Sequence, residues 1–292
     1  MPRRVKRPMK RLSLFEFEDL AWLPRVWRDQ ITELLHYQIA SRGIYRAIVP
    51  LIVETLETAG SARIVDLGSG SGGDIAALQR AIAEARGAEV PVLLSDKFPN
   101  LEAFKRIERA TAGRVGYIAA PVDATRVPDG VTGLRTMFTA FHHLPPALAA
   151  KILGDAMGSP APILIAEFTE RTLFNVVRAA LLGPFIALFD SAFIRPFGWR
   201  RLLWTYLLPV TPLLYTWDAV ASHIRTYSLA ELDELTAAAT DKAYSWRAGQ
   251  LPIEETGGHL LKAGGHLTYL IGTPRGPAGE AATGAGRHAD GA

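Results

Sequence analysis

Apolar residues follow two different spacings in alternating segments of the chain. Short runs of aliphatic and β-branched residues predict strands at "ARIVDLG", "PVLLSD", "RVGYIAAP", "LRTMFTAF" and "APILIAEF". Between them, apolar residues recur three and four positions apart, as at Ile75, Leu78 and Ile82, which predicts helices. Alternating strands and helices are typical of an α/β protein, in which helices cover both faces of a parallel sheet.

The segments on either side of this alternation extend the predicted fold. Residues 12–58 have helical spacing and precede the first strand, so we expect an N-terminal helical cap. Near the other end, "AYSWRAGQL" and "HLTYLIGTP" have no helix between them, which favours an antiparallel pair of strands. The pattern therefore predicts a seven-stranded, mostly parallel sheet in one domain that spans residues 59–275.

A long apolar insert follows the fifth predicted strand, over residues 172–217. Its stretches "AALLGPFIALF" and "LLWTYLLPVTPLLYTW" contain no charged residue. A helix that spans a membrane needs about 20 apolar residues, and we expect Pro184, Pro209 and Pro212 to break these runs. We therefore predict no transmembrane helix. Three roles stay open for the insert: a lid over an apolar acceptor, a peripheral membrane contact, or a homodimer contact.

Positive charge is concentrated at the start of the chain. The net charge is +3, but the first eleven residues contain six Lys and Arg and no acid, so the remaining residues carry −3. This excludes a general binder of polyanions, and nucleic acid is not an expected partner. We predict that residues 1–11 and the glycine-rich residues 276–292 are disordered tails.

The absence of cysteine narrows the chemistry further. It excludes disulfides, thiolate catalysis and zinc–thiolate sites, and no other spacing indicates a metal site, so we expect no metal. The first apolar stretch, "LSLFEFEDLAWL", is broken by acids and is unlike a secretory signal. We therefore expect a cytoplasmic protein, which is peripheral at the membrane if the insert contacts lipid.

The stretch "IVDLGSGSGGDI" is a glycine-rich turn between a strand and a helix. Gly68, Gly70 and Gly73 have the G-x-G-x-x-G spacing of dinucleotide-binding proteins. Asp66 lies two residues before the first of these glycines. Its carboxylate would repel the pyrophosphate of a dinucleotide, but it would attract a ligand that carries an ammonium and a sulfonium group. Charge thus favours a cationic nucleoside over NAD.

Two further acids follow the next two predicted strands. Asp96 ends the second strand, where a carboxylate accepts hydrogen bonds from ribose hydroxyls in either kind of cofactor. Asp123 follows the third strand, where a carboxylate can accept a hydrogen bond from the adenine amino group. Each acid alone is also typical of a helix cap or a turn. Three acids at successive strand ends favour a shared ligand site at one edge of the sheet.

These segments resemble the class I S-adenosylmethionine-dependent methyltransferases of the small-molecule type, which have a Rossmann-like sheet. "VDLGSGSGG" is similar to their first motif, "SDKFPN" to the end of their second strand, "PVDAT" to their adenine-side motif and "TAFHHLPP" to their fourth-strand segment. The resemblance covers about residues 60–170 and implies S-adenosylmethionine as the cofactor. It implies contacts with the methionine part from Asp66, Gly68, Ser69 and Gly70, and with the ribose from Asp96 and Lys97. It also implies contacts with the adenine from Asp123 and Ala124, and with the underside of the cofactor from Thr139, Phe141 and His142.

Methyl transfer from a sulfonium is a direct displacement, so the alignment of the reactants does much of the catalysis. A hydroxyl acceptor also needs a base, and His142 or His143 after the fourth strand is the candidate. Adjacent residues in extended chain point in opposite directions, so we expect only one of them to face the site. Glu167, which ends the fifth strand, is a candidate for orienting the substrate. Alternatively, these three residues cap helices or pack locally.

The predicted function is methyl transfer from S-adenosylmethionine to an apolar or amphiphilic small molecule. Two alternatives stay open. The first is an NAD(P)-dependent oxidoreductase, because the glycine spacing also fits a dinucleotide. The second is a non-catalytic protein that has the same fold and acts through its apolar insert.

Overall fold

A computed structural model describes residues 9–159, 161–238, 244–254 and 265–275. Seven strands form one sheet in the order β3-β2-β1-β4-β5-β7-β6. The strands are β1 (Ile64–Leu67), β2 (Val92–Ser95), β3 (Val115–Tyr117), β4 (Leu134–Phe138), β5 (Ile163–Glu167), β6 (Tyr244–Pro252) and β7 (His266–Pro274). The first five are parallel, and β7 is antiparallel to both β5 and β6. The predicted α/β sheet is confirmed, including its antiparallel end.

Helices cover both faces of this sheet. They are α1 (Arg25–Arg42), α2 (Val49–Thr58), α3 (Ile75–Arg86), α4 (Leu101–Ala110), α5 (Pro146–Gly158), α6 (Leu173–Ser191), α7 (Trp199–Arg201), α8 (Val210–Arg225) and α9 (Leu229–Ala238). Side chains alternate between the two faces along a strand. In β1, Ile64 joins the core beneath α2 and α3, whereas Val65 and Leu67 join the core beneath α5 and α9. The β1 edge that carries Asp66 is therefore anchored from both sides.

The insert departs from its prediction at Pro184. Helix α6 runs without a break from Leu173 to Ser191 and contains this proline. Among the described residues, α6 is the one helix that is long and apolar enough to cross a membrane by length and composition, and 22% of its most apolar window is buried. The predicted break at Pro184 is wrong, because packing of α6 along α8 offsets the roughly 3 kcal/mol cost of a proline inside a helix. Pro209 does separate two helices, since it directly precedes α8.

The segment before α1 lies across the carboxyl ends of the parallel strands. The Arg11 guanidinium donates hydrogen bonds to the carbonyl oxygens of Arg225, His142 and Leu144, and it lies 4.1 Å from the centre of the Tyr227 ring. Residues 9–11 are therefore ordered, contrary to the prediction of a disordered tail, because these carbonyls and the ring satisfy the planar cation. Residues 1–8 and 276–292, the rest of the predicted tails, lie outside the described residues.

Candidate active site

The glycine turn after β1 adopts backbone conformations that favour glycine. Gly68, Gly70, Gly72 and Gly73 all have positive φ angles, between +45° and +88°. A Cβ atom at Gly70 would meet nothing within 4 Å, so the backbone there borders open space. A Cβ atom at Gly72 would lie 2.3 Å from Ile107 Cδ1. Sequence reasoning selected Gly73 and missed Gly72, although Gly72 continues the two-residue spacing of Gly68 and Gly70.

We expect Gly72→Ala to destabilise the protein by about 1–2 kcal/mol through the positive φ angle and by about 1 kcal/mol more through overpacking against α4. Gly70→Ala is the matched control, because it has the same kind of strain but no close neighbour. Urea unfolding followed by circular dichroism measures both. In an Ile107→Val background, which lacks Cδ1, the difference in stability between the two alanine variants should become smaller, and Leu94 Cδ1, 3.3 Å from the added Cβ atom, accounts for what is left. An equal loss for both variants in the wild-type background would show that the predicted clash is absent.

Asp66 is buried beneath this turn. Its Oδ1 accepts a hydrogen bond from Thr136 Oγ1 at 2.8 Å, and its Oδ2 accepts one from Ser69 Oγ at 2.7 Å. Burial raises the pKa of Asp66 to about 7, although the two hydroxyl hydrogen bonds oppose that shift. No described base pairs with this carboxylate, so its charge favours a cationic ligand above it.

Asp96 and Asp123 lie on the same side of the cleft, at the ends of β2 and β3. Asp96 accepts hydrogen bonds from the backbone N–H groups of Gly70 and Phe98 at 2.8 and 2.7 Å. Lys97 Nζ lies 2.8 Å from Asp123 Oδ2, and this hydrogen bond, with others from Thr125, lowers the pKa of Asp123 to about 2. The structure thus brings the predicted acids together. It pairs Lys97 with the adenine-side acid, although the resemblance implied a ribose contact for that lysine.

Phe98 was not selected from the sequence. Its side chain is 82% exposed directly beside Asp96. An exposed aromatic ring next to a carboxylate offers a face on which a purine can stack. Ala124, which follows Asp123, is half-buried and packs against the core beneath α5.

The segment after β4 differs from its prediction in one residue. Thr139 has a φ angle of +48°, which is uncommon for a threonine, and it is hydrogen-bonded to the Tyr45 hydroxyl. The Phe141 side chain is buried and packs against Tyr227, with the ring centres 5.4 Å apart. Phe141 therefore belongs to the core and not to the underside of a cofactor. The reason is the 3₁₀ turn Phe141–His143, which rotates its ring inward.

His142 is held by two carboxylates. Its side chain is 1% exposed, and its Nδ1 lies 2.6 Å from Glu167 Oε2. Its Nε2 is 3.6 Å from Glu16 Oε1 and has no hydrogen-bond partner. Burial lowers the pKa of His142, but the charge and hydrogen bond of Glu167 and the charge of Glu16 outweigh it and raise the pKa to about 10. The imidazole is therefore charged at neutral pH in the resting protein.

His143 lies beside His142, with the ring centres 4.2 Å apart. Its Nδ1 is 2.9 Å from Asp19 Oδ1, and its side chain is partly exposed. Both histidines line the same cavity. The prediction that only one of them faces the site is wrong, because the pair lies in the 3₁₀ turn, where successive side chains do not alternate as they do in a strand.

The cavity beside these histidines has a volume of about 180 Å³. Helices α1, α6 and α8, the strand ends and the segment before α1 form its walls, and its apolar lining is Ile31, Leu35, Ile44, Phe168, Leu182 and Ile186. Polar and charged residues also line it, among them Gln38, Arg178 and Asp218, the last of which accepts hydrogen bonds from the amides of Phe17 and Glu18. The insert therefore supplies a wall of the cavity, and Thr139 borders both this cavity and the cleft after β4.

Comparison with known proteins identifies the fold. No family model matches the chain, and no curated protein matches it. The solved structure of the plantazolicin methyltransferase BpumL in complex with SAH (S-adenosylhomocysteine) superposes with a TM-score of 0.53 over 88% of this chain and 93% of BpumL, at 10% identity. The chain has the class I methyltransferase fold.

Two other solved structures match with lower TM-scores. The pyocyanin biosynthetic protein PhzM is 16% identical, with a TM-score of 0.45 over 80% of this chain. The O-methyltransferase NcsB1 from neocarzinostatin biosynthesis is 17% identical, with a TM-score of 0.42 over 78% of this chain. The chain spans 55% of PhzM and 56% of NcsB1. At these values they support no argument about function.

Three groups at the site offer ligand atoms for a metal ion. One atom each from Glu16, His142 and His143 lies within 4.8 Å of the others. The Arg225 guanidinium already lies 3.2 Å from Glu16 Oε1, and Nε2 of the His142 imidazolium lies 3.6 Å from the same oxygen. Two cations at this carboxylate oppose the binding of a third. We therefore assign the cluster to holding protons. Glu16 is part of this cluster, although it was not selected from the sequence.

Proposed function

We propose that this protein transfers a methyl group from S-adenosylmethionine to an apolar or amphiphilic small molecule bound in the cavity. The observation that carries the proposal is the meeting of two features at the carboxyl edge of the sheet. Asp66, Asp96 and Asp123 lie at or after the ends of β1, β2 and β3, and the cavity at the same edge is lined by Thr139 and His142, which follow β4. A cationic nucleoside fits the cleft, and a small acceptor fits the cavity.

The residues of the cleft fit the cofactor. The turn at Gly68, Ser69 and Gly70 borders open space and lies over the uncompensated charge of Asp66, which suits a methionine part that carries an ammonium and a sulfonium. Asp96 offers carboxylate oxygens to the ribose hydroxyls. Phe98 offers a stacking face to the adenine, whose amino group can donate to Asp123. When bound, S-adenosylmethionine supplies an activated methyl group.

The cavity sets the class of acceptor. A cavity of about 150 Å³ with apolar walls is large enough for a benzene molecule, so the 180 Å³ here suits a ring-sized apolar group. Helices α1 and α6 contribute aliphatic residues to its lining, and polar groups line it beside the histidines and elsewhere. An acceptor with an apolar body and one hydroxyl group satisfies both parts of the lining.

His142 is suited to take the proton of that hydroxyl. Glu167 holds a proton on Nδ1, so the neutral ring has its lone pair on Nε2, which faces the cavity. In the transfer, the acceptor O–H bond would break and an N–H bond would form at Nε2. The oxygen would form a bond to the methyl carbon while the carbon–sulfur bond breaks, its electron pair staying on sulfur, so that S-adenosylhomocysteine leaves. The carboxylates of Glu16 and Glu167 then stabilise the imidazolium.

Calorimetric titration with S-adenosylhomocysteine and with NADH tests the cofactor. We expect heat from S-adenosylhomocysteine and none from NADH, because the cleft carries three carboxylates and Lys97 is the one base bonded to them. Binding of NADH alone would support the oxidoreductase alternative and reject the proposal. If the cofactor binds, mass spectrometry after incubation with an isotopically labelled methyl donor and mixtures of apolar hydroxyl compounds tests the transfer itself.

A further inference from the structure

The outward face of α6 is an uncovered apolar stripe. Phe174 is 73% exposed, Leu181 64% and Phe185 63%, and Val177 and Phe189 are also exposed. These residues are three or four positions apart, so they line one side of the helix along its whole length. The opposite side lines the cavity through Ala179, Leu182 and Ile186. One side of α6 thus encloses the cavity, and the other side exposes apolar residues to solvent.

The stripe continues across the rest of the insert. Phe189 contacts Phe193 with ring centres 5.1 Å apart, Phe197 contacts Tyr206 at 6.2 Å, and the Tyr206 hydroxyl donates a hydrogen bond to the Leu188 carbonyl. The exposed large apolar residues beyond α6 include Phe193, Phe197, Trp199, Leu202, Leu207 and Leu213. We call the α6 stripe and these residues the apolar face. A continuous exposed face of this kind marks a site of interaction.

The exposed charges of this face are positive. Arg195 and Arg200 are exposed, and Arg178 is half-buried. Asp190 is the one acid in residues 172–217, and it is buried in hydrogen bonds with Arg42 and Gln38. Large apolar side chains, tryptophan and exposed arginine without exposed acid are the combination that binds the interface of an anionic membrane.

The structure also constrains how the protein would bind such a membrane. Asp190 ties the end of α6 to α1, and the inner side of the helix encloses the cavity. For α6 to cross a bilayer, both attachments would have to break, and Asp190 would enter hydrocarbon without Arg42, at a high cost. A second copy of this chain would bring arginines against arginines, which repel. The apolar face is therefore best matched by a lipid surface.

We propose that the apolar face docks the protein on an anionic lipid membrane, with α6 lying in the plane of the interface. Docking of this kind does not depend on the proposed methyl transfer. The phenylalanine and leucine side chains enter the acyl region, and Arg195 and Arg200 pair with headgroup phosphates.

Flotation with vesicles tests this proposal. We expect the protein to float with vesicles of phosphatidylcholine and phosphatidylglycerol, less with pure phosphatidylcholine, and less as salt increases. The triple variant Phe174→Glu, Leu181→Glu, Phe185→Glu should lose at least about tenfold in bound fraction. Arg195→Ala and Arg200→Ala should each weaken binding about fivefold, the equivalent of about 1 kcal/mol.

Matched controls lie elsewhere on the surface. Leu148→Glu replaces a half-exposed leucine of α5, and Arg80→Ala replaces an exposed arginine of α3. Both should bind vesicles as the wild type does, and circular dichroism should show all variants folded. An equal loss in the controls, or equal binding to neutral and anionic vesicles, overturns the proposal. The proposal is also overturned if light scattering shows a dimer for the wild type and a monomer for the triple variant, and neither protein binds vesicles. The apolar face would then be covered by a second copy of the chain.

Discussion

His142→Gln is expected to lower the rate of methyl transfer about 10²–10⁴-fold, the usual contribution of a general base. The affinity for S-adenosylhomocysteine should stay within about twofold, because the residue lies at the cavity and not in the nucleoside cleft. Glutamine keeps an amide donor for Glu167, so the buried carboxylates are not left without a partner. Single-turnover kinetics with a labelled methyl donor measures the rate, and calorimetry measures the affinity.

His143→Gln is the matched control, with an expected loss of less than about tenfold. That ring is partly exposed, and its Nδ1 faces Asp19. A larger loss in His143→Gln than in His142→Gln would move the base to the second histidine. Unchanged rates in both variants would contradict a histidine base at this site.

The pH dependence of kcat/KM provides a second readout of the same residue. Only neutral His142 accepts a proton, and its pKa is raised to about 10. The neutral fraction, and with it kcat/KM, should therefore rise about tenfold per pH unit and level off near that value. Glu167→Gln removes one of the two neighbouring charges that raise the pKa of His142, so that pKa falls. The rise in kcat/KM should then shift to lower pH, and identical profiles would contradict the coupling of His142 to Glu167.

Asp96→Ala is expected to weaken binding of S-adenosylhomocysteine about 10²-fold or more. Two hydrogen bonds from ribose hydroxyls to a carboxylate are worth about 1.5–3 kcal/mol each. The substitution also removes the hydrogen bond that the Gly70 amide donates to Asp96, and this bond holds the glycine turn in place. Calorimetry on the purified protein measures the change.

Asp129→Ala is the matched control, because it removes an exposed aspartate near the opposite edge of the sheet. Its affinity for S-adenosylhomocysteine should equal that of the wild type. Asp96→Asn should be intermediate, since an amide oxygen still accepts a hydrogen bond but carries no charge. If Asp96→Ala binds as tightly as the control, the ribose does not lie at this carboxylate.

The order of the strands and the place of the acids followed from local pattern. The alternation of short apolar runs with helical spacing predicted β1 to β5, and two strands without a helix between them predicted the antiparallel end. Parallel strands bring their carboxyl ends to one edge. Asp66, Asp96 and Asp123 therefore had to lie near each other once the alternation was recognised. Strand β3 is shorter than predicted, since its apolar run continues into a loop after Tyr117.

The cluster of His142, Glu167 and Glu16 was only half predicted. His142 and Glu167 both lie at strand ends, so their neighbourhood follows from the topology. Glu16 reaches the same imidazole from a segment more than a hundred residues away, and no spacing in the sequence connects the two. The inward turn of Phe141 and the shared orientation of the two histidines depend on a 3₁₀ turn that periodicity does not reveal.

The amino-acid sequence by itself determined the sheet, its helical layers and the acidic edge, because these depend on side-chain periodicity and on the order of elements. The tertiary structure alone decided that α6 continues through Pro184, that Glu16 meets His142, and which side of α6 is enclosed. Each of these depends on partners distant in the chain, whose packing and charge outweigh the local preference of a proline, a carboxylate or an apolar helix.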